Sequence, residues 1–192
     1  MIRKWLFLLM LTFLTACQSG EKAVSFIGTD ITGAEFDRPF TLTDHTGKER
    51  TMSDFKGKVV AMFFGYTHCP DVCPTTMSDL KQAMKLLGSD ADDVQVLFIT
   101  VDPERDTQEV LAKYVPYFDK RFIGLTGTLE QVAGVMGSYK IFSTKVPSAS
   151  AGTYTIDHSA GLYVFDKTGK PRIYMGYGQK PADIAHDLKQ LL

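Results

Sequence analysis

Residues 59–64, Val-Val-Ala-Met-Phe-Phe, form an unbroken apolar run that stops at Gly65. A run of this kind marks a strand buried on both faces, in the interior of a sheet. Cys69-Pro70-Asp71-Val72-Cys73-Pro74 follows, and Met77, Leu80, Met84 and Leu87 then recur at helical spacing up to Gly88. The two cysteines therefore stand at a strand-to-helix elbow. Proline disfavours the helical conformation in the residue before it, and each cysteine precedes one. The spacing predicts a tight turn over 69–73 with Pro74 at the first helical position, where its missing N–H does no harm. Cys73 would then lie at a helix N-terminus, whose free N–H groups and dipole favour a thiolate. Thiols held this close can form a disulfide or share one soft metal ion. Two inert structural thiols are a third reading, which the Pro-flanked elbow argues against.

The chain opens with Arg3 and Lys4, an apolar stretch over 5–14, and Leu14-Thr15-Ala16-Cys17. This is the pattern of a secretory signal, too short for a comfortable membrane span. Residues 14–17 resemble a bacterial lipobox. That resemblance implies cleavage before Cys17, lipid on its sulfur and acylation of the new amino terminus. Two or more acyl chains anchor stably. The expected organisation is a lipoprotein signal peptide over 1–16, a lipidated tether over 17–36 and a single domain over 37–192. The domain would be exported and held on a bacterial membrane, facing the periplasm or another extracytoplasmic space. Loss of Arg3 and Lys4 takes the formal charge from −1 to −3, which is no footprint for nucleic acid.

Residues 40–52 read as a hairpin around Asp44-His45-Thr46-Gly47, with His45 a turn residue rather than a ligand. A second buried strand spans 94–101. Asp102-Pro103-Glu104-Arg105-Asp106-Thr107 follows, then a helix through Val110, Leu111, Tyr114 and Phe118 that Pro116 kinks or shortens. A short strand falls near 121–125. Thr128 and Gln131 form a capping box that opens a helix to about residue 139. Residues 143–155 have no core pattern and read as a functional loop. Strands at 161–165 and 172–175 flank a turn, and Pro181 starts a last helix with Ile184, Leu188 and Leu191 on one face and His186 toward solvent. Met77 and Met84 sit among leucines at helical spacing and read as core. A βαβ half followed by a ββα half is a thioredoxin-like layout of the α/β class. Here it carries an N-terminal β-hairpin extension and an inserted loop before the ββα half. Open α/β sheets bind ligands at the carboxyl ends of their strands, where the cysteines lie.

His158 follows the inserted loop and precedes a strand of the ββα half. Thioredoxin-like folds place a proline against their active thiols at that junction, and no proline stands between Tyr154 and Phe165. An imidazole there can reach both sulfurs. Two thiolates and one imidazole suit Cu(I), with Cu(II) also possible, whereas zinc wants a fourth ligand or water. Asp157 would point to the opposite face of its strand and is given no ligand role. His68, one residue from Cys69, is likewise left out of the set.

Gly65-Tyr66-Thr67-His68-Cys69-Pro70-Asp71-Val72-Cys73-Pro74-Thr75-Thr76, Val101-Asp102-Pro103-Glu104-Arg105-Asp106-Thr107 and Asp157-His158-Ser159 together resemble the Sco/SenC family of copper-binding, thioredoxin-like assembly proteins. The resemblance runs in order from about residue 40 to the C-terminus. It implies copper bound by Cys69, Cys73 and His158, and a role in building the binuclear copper centre of cytochrome c oxidase subunit II. The expected function is that of a metallochaperone rather than an enzyme, with a lipid where many relatives carry a transmembrane anchor. The alternative is a thiol–disulfide reductase in which Cys69 and Cys73 reduce copper-ligand cysteines of a partner. A peroxidase of related layout needs a single activated thiolate, and the paired turn does not resemble one.

Overall fold

The computed structural model describes residues 24–36, 40–147 and 153–192. Cys17 and the expected signal peptide lie outside them, and no described helix is long and apolar enough to cross a membrane.

The apolar run becomes β4 (Val59–Gly65), buried at every position, and its neighbour β5 (Val94–Thr100) is equally enclosed. The two pair in parallel, and β5 pairs in parallel with β6 (Ile123–Thr126). On the other flank β4 pairs antiparallel with β9 (Leu162–Phe165), and β9 with β10 (Pro171–Met175). These five strands are the expected βαβ and ββα halves. The hairpin of β2 (Leu42–Asp44) and β3 (Glu49–Arg50) extends the sheet beyond β6. Helices α1 (Val72–Leu87), α2 (Gln108–Phe118), α3 (Leu129–Ser138) and α4 (Pro181–Lys189) complete the fold, with α1 packed on α4. Met77 and Met84 are buried in the core, as their spacing predicts. Pro116 sits inside α2, which ends two residues later. Thr128 and Gln131 form both bonds of the capping box.

Three expectations need correction. The stretch 17–36 is not all tether. Within it, β1 (Thr29–Asp30) pairs antiparallel with β10, and the buried Asp187 carboxylate accepts the N–H groups of Ile27 and Gly28 at 2.9 and 2.8 Å. The small polar residues hid this because the attachment uses backbone groups, which leave no hydrophobic pattern. Residues 143–155 are not a loop throughout. β7 (Ser143–Pro147) and β8 (Tyr154–His158) form an antiparallel hairpin, separate from the eight-stranded sheet, with Ser143 opposite His158. β7 is mostly exposed and β8 buries only Ile156, so no buried face imposed an apolar alternation. Helix α1 also begins earlier than expected. Asp71 is its N-cap and the Thr75 N–H bonds the Asp71 carbonyl at 3.1 Å, so Pro74 is the third helical residue rather than the first. The first four N–H groups of a helix have no acceptor within it, so a proline is tolerated there too.

Candidate metal centre

Gly65, the last residue of β4, lies at a crowded point where any side chain would force its neighbours to shift. A Cβ there would lie 2.9 Å from Phe63 and 3.0 Å from both Cys73 Sγ and Phe98. Beyond it the chain turns through Tyr66 and enters α1. Cys73 is fully buried under the elbow, while Cys69 is half-buried at its rim. The Cys73 N–H points at Cys69 Sγ across 3.4 Å.

His158 closes the group from the end of β8. Its Nε2 lies 3.5 Å from Cys73 Sγ, and the two sulfurs and a ring nitrogen all fall within 4.8 Å of one another. The ring is held by its own neighbour: Nδ1–H donates to the Ser159 carbonyl at 3.0 Å. Nε2 is therefore the nitrogen turned to the sulfurs. In the free protein it can hydrogen-bond a thiol or thiolate, and toward a metal it offers a lone pair. Tyr66 and Phe63 present ring edges to the imidazole at 5.7 and 6.5 Å between centroids. On the open side Cys69 and His158 line a groove of about 440 Å³ with Pro70, Val72 and Thr155 among its walls, while Cys73 stays beneath it.

The two thiols are not equivalent. Hydrogen bonding from the Cys73 side chain holds the Cys69 thiol far below its ordinary range, against the effect of burial, with His158 and the N–H groups of Cys73 and Asp71 adding to it. The same shared hydrogen bond, with burial, pushes the Cys73 thiol up. The sequence reading assigned the thiolate to Cys73 at the helix N-terminus. It belongs to Cys69, because the helix-end N–H groups aim outward at the rim sulfur while Cys73 is sealed in the core.

The remaining candidates fall outside the group. His68 is 53% exposed at its side chain and bonds Thr67 Oγ1 at 3.1 Å. Asp157 is exposed on β8, and His45 accepts the Gly124 N–H at 3.0 Å as part of its turn. His186 bonds Asp187 on α4. Among the described residues Cys69, Cys73 and His158 are the sole cluster with metal-ligand character.

The residues after β5 hold this arrangement together, and the sequence reading gave them no role. Buried Asp106 accepts the Thr67 N–H, the Thr67 hydroxyl and the Thr100 hydroxyl at 3.0, 2.6 and 2.7 Å. It thereby ties the cysteine loop to the end of β5. Tyr66 ties the same loop to β8 by accepting the Ile156 N–H at 3.1 Å. The sequence carries only a partial signal: Asp102 and Asp106 follow a buried strand, but nothing in the pattern separates them from Glu104 between them, which is exposed.

Relatives carry the same architecture. The SCO1/SenC family profile matches residues 28–192. The mouse protein named SCO2 homolog, mitochondrial, is 39% identical over 153 residues, covering 79% of this chain and 60% of the relative. The chain spans between half and three-fifths of the length of the mouse and human relatives it matches. The structure of Bradyrhizobium japonicum ScoI with copper bound superimposes with a TM-score of 0.75 at 42% identity, covering 81% of this chain and 98% of that one. A SCO1/SenC family lipoprotein from Bacillus anthracis gives 0.72 at 25% identity, covering 87% and 99%. The family profile over residues 28–192, the sequence relatives and the superimposable Sco structures agree, and this chain belongs to the SCO1/SenC family.

Proposed function

We propose that this protein is a copper metallochaperone in which Cys69 Sγ, Cys73 Sγ and His158 Nε2 hold the ion. The observation that carries this reading is the convergence of two sulfurs and a correctly turned imidazole nitrogen within 4.8 Å. Thiolates select copper in its reduced form, and the added imidazole also suits Cu(II). The relative from Bradyrhizobium japonicum, solved with copper bound, supports the choice of metal. A site on the rim of a groove favours transfer: an incoming thiolate can replace His158 and then each sulfur in turn, so that copper is never uncoordinated. The family points to the binuclear copper centre of cytochrome c oxidase subunit II as the client. Cys17 carries lipid in this reading and holds the domain on the outer side of a bacterial membrane, in line with the lipoprotein relative.

The unequal thiols favour one accessory reading, a thiol–disulfide reductase. Cys69 thiolate attacks a partner disulfide and forms a mixed disulfide as one partner thiolate leaves. Cys73 loses its proton, attacks Cys69 Sγ and releases the second partner thiolate. The partner gains two electrons, and Cys69 and Cys73 end as a disulfide.

The two functions separate at His158. Replacing it with Ala weakens copper binding by about tenfold or more, the scale of a lost ligand-shell group, and leaves exchange with a model disulfide near the wild-type rate. Competition with a copper chelator and a thiol-exchange assay on the reduced protein measure both. Equal losses in the two assays, or none in either, would contradict the assignment.

A further inference from the structure

The hairpin that carries His158 has little of its own to stand on. β7 and β8 pair with each other and with no strand of the main sheet, and an isolated two-stranded hairpin is marginal in water. The His158 ring bonds its own neighbour, so its place relative to the sulfurs follows wherever the hairpin backbone goes. Apart from the buried side chain of Ile156, which anchors the middle of β8 in the core, what fixes that backbone is one short segment. Arg105 donates from Nη1 to the Tyr154 carbonyl at 2.9 Å, and from Nε to buried Asp102. Asp102 in turn accepts the Tyr154 hydroxyl at 2.9 Å. The Arg105 guanidinium lies 3.7 Å from the centre of the Tyr154 ring and 5.7 Å from that of Tyr66. Lys145 of β7 pairs with Glu104. Beyond these, the Tyr66 hydroxyl receives the Ile156 N–H.

Arg105 thus clasps the start of β8 on one side and leans on Tyr66, the residue that opens the cysteine loop, on the other. We propose that Arg105 is a positioning residue for the third copper ligand: with Asp102 and Tyr154 it latches the β7–β8 arm so that His158 Nε2 stays within reach of Cys69 and Cys73. This inference rests on the copper reading above. It adds that the imidazole is a ligand on a latched arm, whereas Cys73 is built into the core and Cys69 sits on the elbow above it. The fork of Arg105 makes it specific: one planar group serves a carboxylate, a carbonyl and two ring faces, which a lysine cannot do.

The test is a double-mutant cycle on the full-length reduced protein, Arg105→Ala against His158→Ala, read by Cu(II) affinity and by nitrogen hyperfine coupling in the Cu(II) spectrum. Arg105→Ala is expected to weaken Cu(II) binding about tenfold, in the range for groups that orient metal ligands, and to remove the nitrogen coupling. In the His158→Ala background the same change has almost no further effect, because the residue acts through the missing ring. In the copper-free protein, exchange of the Ile156 amide quickens in Arg105→Ala. Tyr154→Phe, which removes only the hydroxyl on Asp102, gives a smaller change in the same direction and serves if Arg105→Ala does not fold. Unchanged affinity in Arg105→Ala, or an equal loss with and without His158, overturns the latch. No effect of His158→Ala by itself overturns the ligand reading instead, and the latch with it.

Discussion

Single side chains at this elbow owe their chemistry to where the backbone puts them. Cys69 and Cys73 differ by one turn of chain, yet one sulfur faces helix-end N–H groups at a rim and the other is sealed among Phe63, Phe98 and Gly65. The pattern of residues gave both positions but not which sulfur would be the thiolate, because the asymmetry depends on burial by residues far away in sequence. Asp44 is the clearest case of a charge chosen for structure. It is 1% exposed and accepts bonds from the Thr46 hydroxyl, Arg50, and the N–H groups of Lys48 and Thr46. Burial by itself would raise its carboxyl, but these bonds outweigh that effect and hold it at about 2. A depressed folded pKa adds stability above the unfolded value, near pH 4, and that stability fades as pH falls toward 2. Asp44→Asn is therefore predicted to cost roughly 2 kcal/mol at pH 7, with the gap to wild type narrowing between about pH 4 and pH 2. Urea unfolding at several pH values measures it, and a gap that stays constant with pH contradicts the charge-based account.

At the scale of elements, legibility followed burial. The apolar runs of β4 and β5, the periodic face of α1, the capping box of α3 and Pro181 at the head of α4 all declared themselves, because each satisfies a local rule. The β7–β8 arm did not. β7 is largely exposed, β8 buries only Ile156, and the arm's order comes from partners some fifty residues away, Tyr154 on Asp102 among them. β1 was hidden for a related reason, since a buried carboxylate on α4 receives its backbone. The position of His158 was nonetheless within reach of the sequence, through the order of halves and the missing proline at the junction. Its attachment to a separate hairpin was not.

For the molecule as a whole, the sheet serves to present two sulfurs at the ends of its central strands while a detached arm brings the imidazole over them. β1 and the Asp187 clasp fasten the N-terminal segment to the β10 edge. In cells of a bacterial host, Cys17→Ala is predicted to shift the protein from the membrane to the soluble exported fraction, and retention in membranes would contradict lipid anchoring. The claim beneath all of this is that copper is held by both cysteines and the late histidine at once. X-ray absorption at the copper edge, on reduced protein loaded with one equivalent, measures that directly. Two sulfur neighbours and one imidazole nitrogen are predicted, with the nitrogen lost in His158→Ala; a shell of sulfur alone in the unaltered protein would contradict it.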